Sequence, residues 1–306
     1  MHMADALLST PVALAMLGLS AAALAGAGRS LRHRPDDRRV PLMGVLGAFV
    51  FALQMVNFAI PGTGASGHLG GGLLLAILLG PAAALVAMTS VLVVQALCFG
   101  DGGLLALGAN VFNLGVLPCL VVYPLVYRPL AGKRSGPRQA LAAIIAALVA
   151  LQLGALGVVL QTGASGIAGL PMSTFAWLML PIHAAIGLAE GLATAALVRF
   201  LQRNAPEWLP AAVESATARD GAQRTMVRRT AAATVFTAAV LSAFASPLPD
   251  GLEWSVEHVA GRVAAAPPPE ELPAPLAGLV GSGLTMLVLA GVATWSRRRR
   301  PTPRDA

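Results

Sequence analysis

The chain has 306 residues, of which 56% are apolar and only 11% charged, with a mean hydropathy of +0.73 and a formal charge of +7. A soluble globular domain carries about 25% charged residues, so there are too few polar groups here for a water-facing surface. The composition argues against a soluble enzyme, a nucleic-acid binder and a disordered chain, and the excess of 21 Lys and Arg over 14 Asp and Glu reads as membrane topology.

A spanning helix needs about 20 mostly apolar residues. In chain order the sequence predicts such helices over 7–28 and 41–60, then over 104–127, 139–161, 174–198, 230–246 and 274–295. The opening Met1-His2-Met3-Ala4-Asp5 has no positive region ahead of the apolar stretch. A cleavable signal peptide is therefore not expected, and residue 1 is expected to remain. Segment 69–99 is too long for one span of about 30 Å and short for two. Gly80-Pro81 interrupts it, and proline removes a helix donor and clashes with the preceding turn.

Charge decides the reading. If 69–99 is a short helix, a Gly-Pro turn and a second helix, then the segments 29–39, 128–138, 199–229 and 297–304 share one side and hold 20 of the 21 Lys and Arg. The positive-inside rule makes that side cytoplasmic. The expectation is an all-α multi-pass membrane protein of nine helices, N-terminus outside and C-terminus in the cytoplasm. A bundle of seven over 1–201 is followed by a charged, proline-bearing cytoplasmic linker over 202–229 and a two-helix module over 230–306. Cys98 and Cys119 lie inside apolar runs and are expected as buried thiols.

Polar residues within spans are costly and are candidates for function. They cluster toward the outer half: Gln54 and Asn57 on the second helix, Gln95 on the fourth, Asn110 and Asn113 on the fifth, with Asp5 and Asp101 at the outer mouth. Interhelical hydrogen bonding is the plainer role for each. His183 and Glu190, seven apart, share a helical face and suit either a structural pair or a substrate role. His33 and His258 fall in charged loops and are expected in water.

Two histidines stand apart. His2 adjoins the α-amine of Met1, and His68 ends the outer loop Gly62-Thr63-Gly64-Ala65-Ser66-Gly67. The amine, the deprotonated amide nitrogen of His2 and its imidazole can form fused chelate rings on one divalent ion, with His68 supplying a fourth nitrogen. An all-nitrogen planar set suits Ni²⁺ or Cu²⁺, and low-spin Co²⁺ accepts it, whereas Mg²⁺ and Ca²⁺ require oxygen.

Other chemistry is missing. The sequence has no G-x-x-x-x-G-K-[ST] for nucleotide phosphates and no H-E-x-x-H for zinc. Gly64-Ala65-Ser66-Gly67 matches the G-x-S-G of rhomboid proteases, but Gly163-Ala164-Ser165-Gly166 repeats it, as small residues do in membrane bundles.

The start Met1 to Asp5, the stretch Gly62 to Gly72, the run Gln95-Ala96-Leu97-Cys98-Phe99-Gly100-Asp101-Gly102-Gly103 and Gly187-Leu188-Ala189-Glu190-Gly191 with His183 before it resemble the CbiM/NikM substrate-binding components of cobalt and nickel energy-coupling-factor (ECF) transporters. Pro249-Asp250-Gly251-Leu252-Glu253 resembles the signature of the companion subunit CbiN/NikN, so the chain reads as a fusion of the two. The opening departs from the commoner Met-His-Ile-x-Asp/Glu-Gly in having Met3 and Ala6.

The resemblance implies a seven-helix module in a prokaryotic plasma membrane that carries Co²⁺ or Ni²⁺ as cargo, with no resident cofactor, no catalysis of its own and no nucleic-acid partner. It implies that the ion is held by Met1, His2 and His68. Asp5, Asn57, Gln95 or Asn110 are expected behind the imidazoles to orient them. Its expected partners are a transmembrane coupling subunit and two cytoplasmic ATPases of the ABC type. Cobalt is slightly favoured by the overall likeness. A metal-responsive sensor without transport is the leading alternative, and a rhomboid-like protease using Ser66 a distant one.

Overall fold

The computed structural model describes residues 2–33, 39–132, 136–204, 220–260 and 272–298. A short 3₁₀ turn at Asp5–Leu7 leads into ten helices. They are α1 (Thr10–His33), α2 (Arg39–Gln54), α3 (Gly72–Leu79), α4 (Pro81–Phe99) and α5 (Leu107–Ala131), then α6 (Pro137–Ser165), α7 (Met172–Asn204), α8 (Asp220–Ala239), α9 (Gly251–Ala260) and α10 (Ala274–Arg298). Between α2 and α3 lie two antiparallel strands, β1 (Phe58–Ala59) and β2 (Ser66–Gly67), with Phe58 opposite Gly67 and Ala59 opposite Ser66.

This is an all-α multi-pass membrane protein. Among the described residues, six helices (α1, α4, α5, α6, α7 and α10) are long and apolar enough to cross a bilayer core. The expected nine therefore resolve into these six full spans and three helices that fall short. α2 is apolar but shorter. α3 has eight residues, all buried, a length of about 12 Å. α8 begins in the charged stretch Asp220 to Arg229.

The break at Gly80 is real. Gly80 sits at φ 80°, where only glycine is comfortable, and Pro81 opens α4 at a first-turn position that needs no N–H. α5 runs in wide turns from Phe112 to Tyr127, with Pro118 and Pro124 inside it. Each proline removes one i→i−4 donor, and a wider turn re-pairs the freed groups.

Large apolar side chains point outward, as for Leu125 at 71% and Trp177 at 78% exposure, a surface suited to lipid. The interior is closely packed by Leu73, Leu75, Leu85 and Met88. α6 lies along α7, where Gly191 leaves room for the Ile144 backbone. α8 and α10 pack on α2, with Gly281 beneath the Phe51 ring and the Ser282 hydroxyl donating to the Ala48 carbonyl at 3.1 Å.

Four expectations change. α2 stops at Gln54, so Asn57 lies beyond it in the strand-bearing loop, because the backbone there pairs elsewhere: β1 with β2, and the Asn57 carbonyl with the Ser246 N–H at 2.8 Å. The described part of the expected linker 202–229 is helical, closing α7 and opening α8; 205–219 lie outside the described residues. Between the expected helices 230–246 and 274–295 lies the unforeseen α9. Cys119 is buried as expected, but Cys98 is exposed, since the end of α4 reaches an open cleft.

Candidate metal centre

The first residues form an arm laid against the loop between α4 and α5. The Met3 N–H donates to Asn110 Oδ1 at 2.7 Å, while Asn110 Nδ2 and the Gly103 N–H both donate to the Met3 carbonyl, at 3.2 and 2.9 Å. Asp5 Oδ1 accepts the Ala106 N–H at 2.9 Å. The arm comes so close that a Cβ on Gly103 would collide with Asp5. At Gly102, φ of 84° and Asn110 Nδ2 at 2.7 Å from a Cβ position bar a side chain twice over.

A second set of contacts fixes the His68 loop. The Gly70 and Gly71 N–H groups donate to the two carboxylate oxygens of Glu190 on α7, at 2.7 and 3.1 Å. Gln54 Nε2 donates to the Gly70 carbonyl at 2.8 Å, and Gln95 Nε2 donates to Gln54 Oε1 at 2.7 Å. Buried polar side chains from three helices thus hold one short loop.

These two devices bring His2 and His68 face to face, ring centroids 5.0 Å apart and planes within 17°. Both side chains are buried. His68 Nδ1 is engaged by the Leu69 carbonyl at 3.2 Å, and His2 Nδ1 stands 3.2 Å from Asp101 Oδ1. Among the described residues, the His68 Nε2 has no hydrogen-bond partner. An unpaired buried lone pair is costly in free energy and favours a ligand.

Burial lowers His2 to about 3 and His68 to about 4, so both rings are neutral donors at physiological pH. Burial pushes the Asp101 carboxyl up. An open cleft of about 1030 Å³ leads to the pair, with Asn57, Asp101, Ser246 and Glu253 on its walls. Among the described residues, no three His, Cys, Asp or Glu side chains close on one point. Met1 lies outside the described residues.

The comparisons with known proteins bear on this geometry. Residues 2–208 match the family CbiM, described as the cobalt uptake substrate-specific transmembrane region. The chain belongs to the CbiM family. Residues 224–275 match the PDGLE domain. A Haloquadratum walsbyi protein named for metal transport is 40% identical over 208 residues, covering 68% of this chain and 92% of the relative. A fused nickel transport protein NikMN of Rhodobacter capsulatus is 36% identical, covering 59% of this chain and 56% of the relative. A cobalt transport protein CbiM of Geobacter sulfurreducens is 33% identical, covering 68% and 61%. The crystal structure of a truncated transition metal transporter superposes with a TM-score of 0.59 at 30% identity, covering 66% of this chain and 99% of that one.

In this CbiM-family chain the PDGLE segment meets the His68 loop directly. The Ser66 N–H donates to the Pro249 carbonyl at 2.7 Å, and Ser66 and Asp250 form a parallel bridge. Asp250 Oδ1 accepts the Leu252 and Glu253 N–H groups, at 2.9 and 2.8 Å, and so caps α9. Burial alone would raise the Asp250 carboxyl, but nearby positive charge and the Glu253 N–H outweigh it and hold the group below the usual carboxylate range. Gly251 lies against Ile182 and His183 of α7, where a Cβ would stand 2.5 Å from Ile182 Cγ2.

The residues expected behind the imidazoles divide. Asp5 and Asn110 hold the arm rather than the rings. Gln95 does both, bonding Gln54 and so the loop, and lying beside the His2 ring, where its side chain favours the protonated form. Asn57 lines the cleft. Asp101, which the sequence located only at the outer mouth, also stands beside His2.

His183 and Glu190 share a buried face, but Glu190 binds Gly70 and Gly71, while His183 Nδ1 is bonded to the Met179 carbonyl at 2.8 Å. The Ser66 hydroxyl donates to the Leu248 and Pro249 carbonyls, at 2.7 and 3.2 Å, an engagement unlike that of a nucleophile held by a base. His33 and His258 are exposed, and His258 tilts against the Trp254 ring at 3.9 Å.

Proposed function

We propose that the chain is the substrate-binding component of an ECF-type importer for Co²⁺ or Ni²⁺. The ion is captured at the outer face by the Met1 amine, the amide nitrogen and imidazole of His2, and the His68 imidazole. The observation that carries this is the buried, stacked His2–His68 pair, with the His68 Nε2 unpartnered among the described residues, at the end of a tightly pinned N-terminal arm.

Neutral nitrogen donors in a dry setting favour a borderline transition ion over Mg²⁺ or Ca²⁺. Nickel and cobalt relatives are both among the similar proteins, and the same donor set accepts either ion. When the His2 ring engages an ion through Nδ1, the Asp101 contact must yield, so Asp101 stands as a competitor that the ion displaces.

The reading includes a seven-helix module over 1–201 and a two-helix module over 230–306, in a prokaryotic plasma membrane, with the N-terminus outside and the C-terminus in the cytoplasm. A transmembrane coupling subunit and two cytoplasmic ATPases supply the nucleotide chemistry for which this sequence carries no P-loop. ATP hydrolysis in those partners turns the loaded module and opens the site inward.

Isothermal titration of the purified chain with Co²⁺ and Ni²⁺ tests the site. His2→Ala, or a residue added ahead of Met1, abolishes tight binding. Undiminished affinity in either variant sinks the chelate. Uptake of radioactive metal by cells expressing the chain with its coupling subunits separates transport from sensing.

A further inference from the structure

His183 on α7 is fully buried, and its Nδ1 is committed to the Met179 carbonyl, which leaves the Nε2 lone pair as the available donor atom. That Nε2 has no partner among the described residues. His183 borders a cavity of about 10 Å³, together with His68, Asp250 and the backbone of Gly67 and Gly70. That volume is about what a single water or small ion occupies. His68 and Asp250 also line the outer cleft that reaches His2, so they form the wall common to both spaces. Two imidazoles and a carboxylate around one small space make a donor set for a borderline divalent ion such as Co²⁺, Ni²⁺ or Zn²⁺.

We propose that the cavity bordered by His68, His183 and Asp250 is a second, inner station for a divalent transition ion, one step deeper than the outer site and sharing His68 with it. The inference rests on the proposed outer site only through that shared imidazole. Because the three donors border the cavity without closing on one point, the station is a low-affinity transit position. Because His68 serves both, the two positions are alternatives for one ion, and His68 hands it inward. Asp250 comes from the PDGLE segment, bound to the His68 loop through Ser66, so the C-terminal module contributes one wall of the station.

The test is Co²⁺ titration of the full-length chain, followed by calorimetry and by the visible absorption of the bound ion. With the outer chelate removed by His2→Ala, one weak equivalent of Co²⁺ remains, carrying imidazole-type absorption. Adding His183→Ala to that background weakens it roughly tenfold or more. Asp250→Asn keeps an α9 cap and weakens the residual binding several-fold. If the double variant does not fold, as judged by its thermal transition, His183→Gln carries the test, since its amide can still donate to Met179.

Loss of all binding in His2→Ala, or a weak equivalent indifferent to His183→Ala and His183→Gln, overturns the inner station and leaves the outer site intact. Full-strength binding that survives His2→Ala sinks the outer chelate instead. The inner station then stands only if removal of His183 abolishes that binding.

Discussion

Met3 and Asn110 exchange two hydrogen bonds, the Met3 N–H donating to Oδ1 at 2.7 Å and Nδ2 donating to the Met3 carbonyl at 3.2 Å. One side chain on α5 thus satisfies both backbone groups of the residue next to His2, in a buried place where neither can turn to water. The Gly103 N–H supports the same carbonyl, so the Met3 N–H is the group that depends on Asn110 alone among the described residues.

Asn110→Leu keeps the volume and strands that N–H, at a cost of about 1–3 kcal/mol. An arm ordered less by that amount binds its ion about ten- to a hundredfold more weakly. Asn110→Asp keeps the acceptor but buries a carboxylate and turns its second oxygen against the Met3 carbonyl, so its loss is at least as large. Calorimetric titration of both variants checks the order. Equal affinity in wild type and Asn110→Leu would show that the arm needs no such anchor.

How much of this was legible in the sequence follows from what sequence patterns encode. Apolar runs located the membrane helices, and Gly80-Pro81 located the break, because both are local properties of composition and backbone. His2 and His68 stood out by residue type and position. The end of α2 did not, since Met55 to Ile60 is nearly as apolar as the helix before it. What stops α2 is pairing with residues distant in the chain: β2 against β1, and Ser246 onto Asn57. Asp101 and Asp250 were visible as residues, but their places beside the histidines were hidden for the same reason. Each reaches its imidazole only through tertiary approach, and no spacing along the chain announces it. Cys98 looked buried because hydropathy reports the run it sits in and not the cleft at the run's end.

The neutral rings predict a specific proton count. His2 at about 3 and His68 at about 4, both lowered by burial, carry no proton at pH 6, where ordinary imidazoles near 6.5 would be mostly charged. Chelation then releases about two protons per ion, one from the terminal ammonium and one from the His2 amide. Affinity rises about a hundredfold per pH unit between roughly pH 5 and 7. Rings titrating normally would add more than one further proton at pH 6. Calorimetry in buffers of different ionisation enthalpy counts them, and a release of about three and a half at pH 6, rather than about two, would contradict the buried, neutral pair. The same shifts act on the fold. Unfolded imidazoles take up protons below about pH 6.5 that the buried ones refuse, so stability is present above that pH and declines as pH falls toward 4.

Glu190 offers the sharpest separation between ring and loop. Its two oxygens accept the Gly70 and Gly71 N–H groups, and no described ion ligand touches it, so it acts on the metal only by holding the backbone after His68. Glu190→Gln leaves one acceptor oxygen for two donors and turns an amide N–H₂ against the other, which costs about 1–3 kcal/mol. The loop loosens, and metal affinity falls about ten- to a hundredfold, as for other residues that orient ligands without binding the ion. The proton count per ion stays at the wild-type value, because the donor atoms are unchanged. That combination distinguishes loop anchoring from ligation. A Glu190→Gln chain with unaltered affinity and an unaltered thermal transition would mean that Gln54, through the Gly70 carbonyl, is sufficient to hold His68 in place.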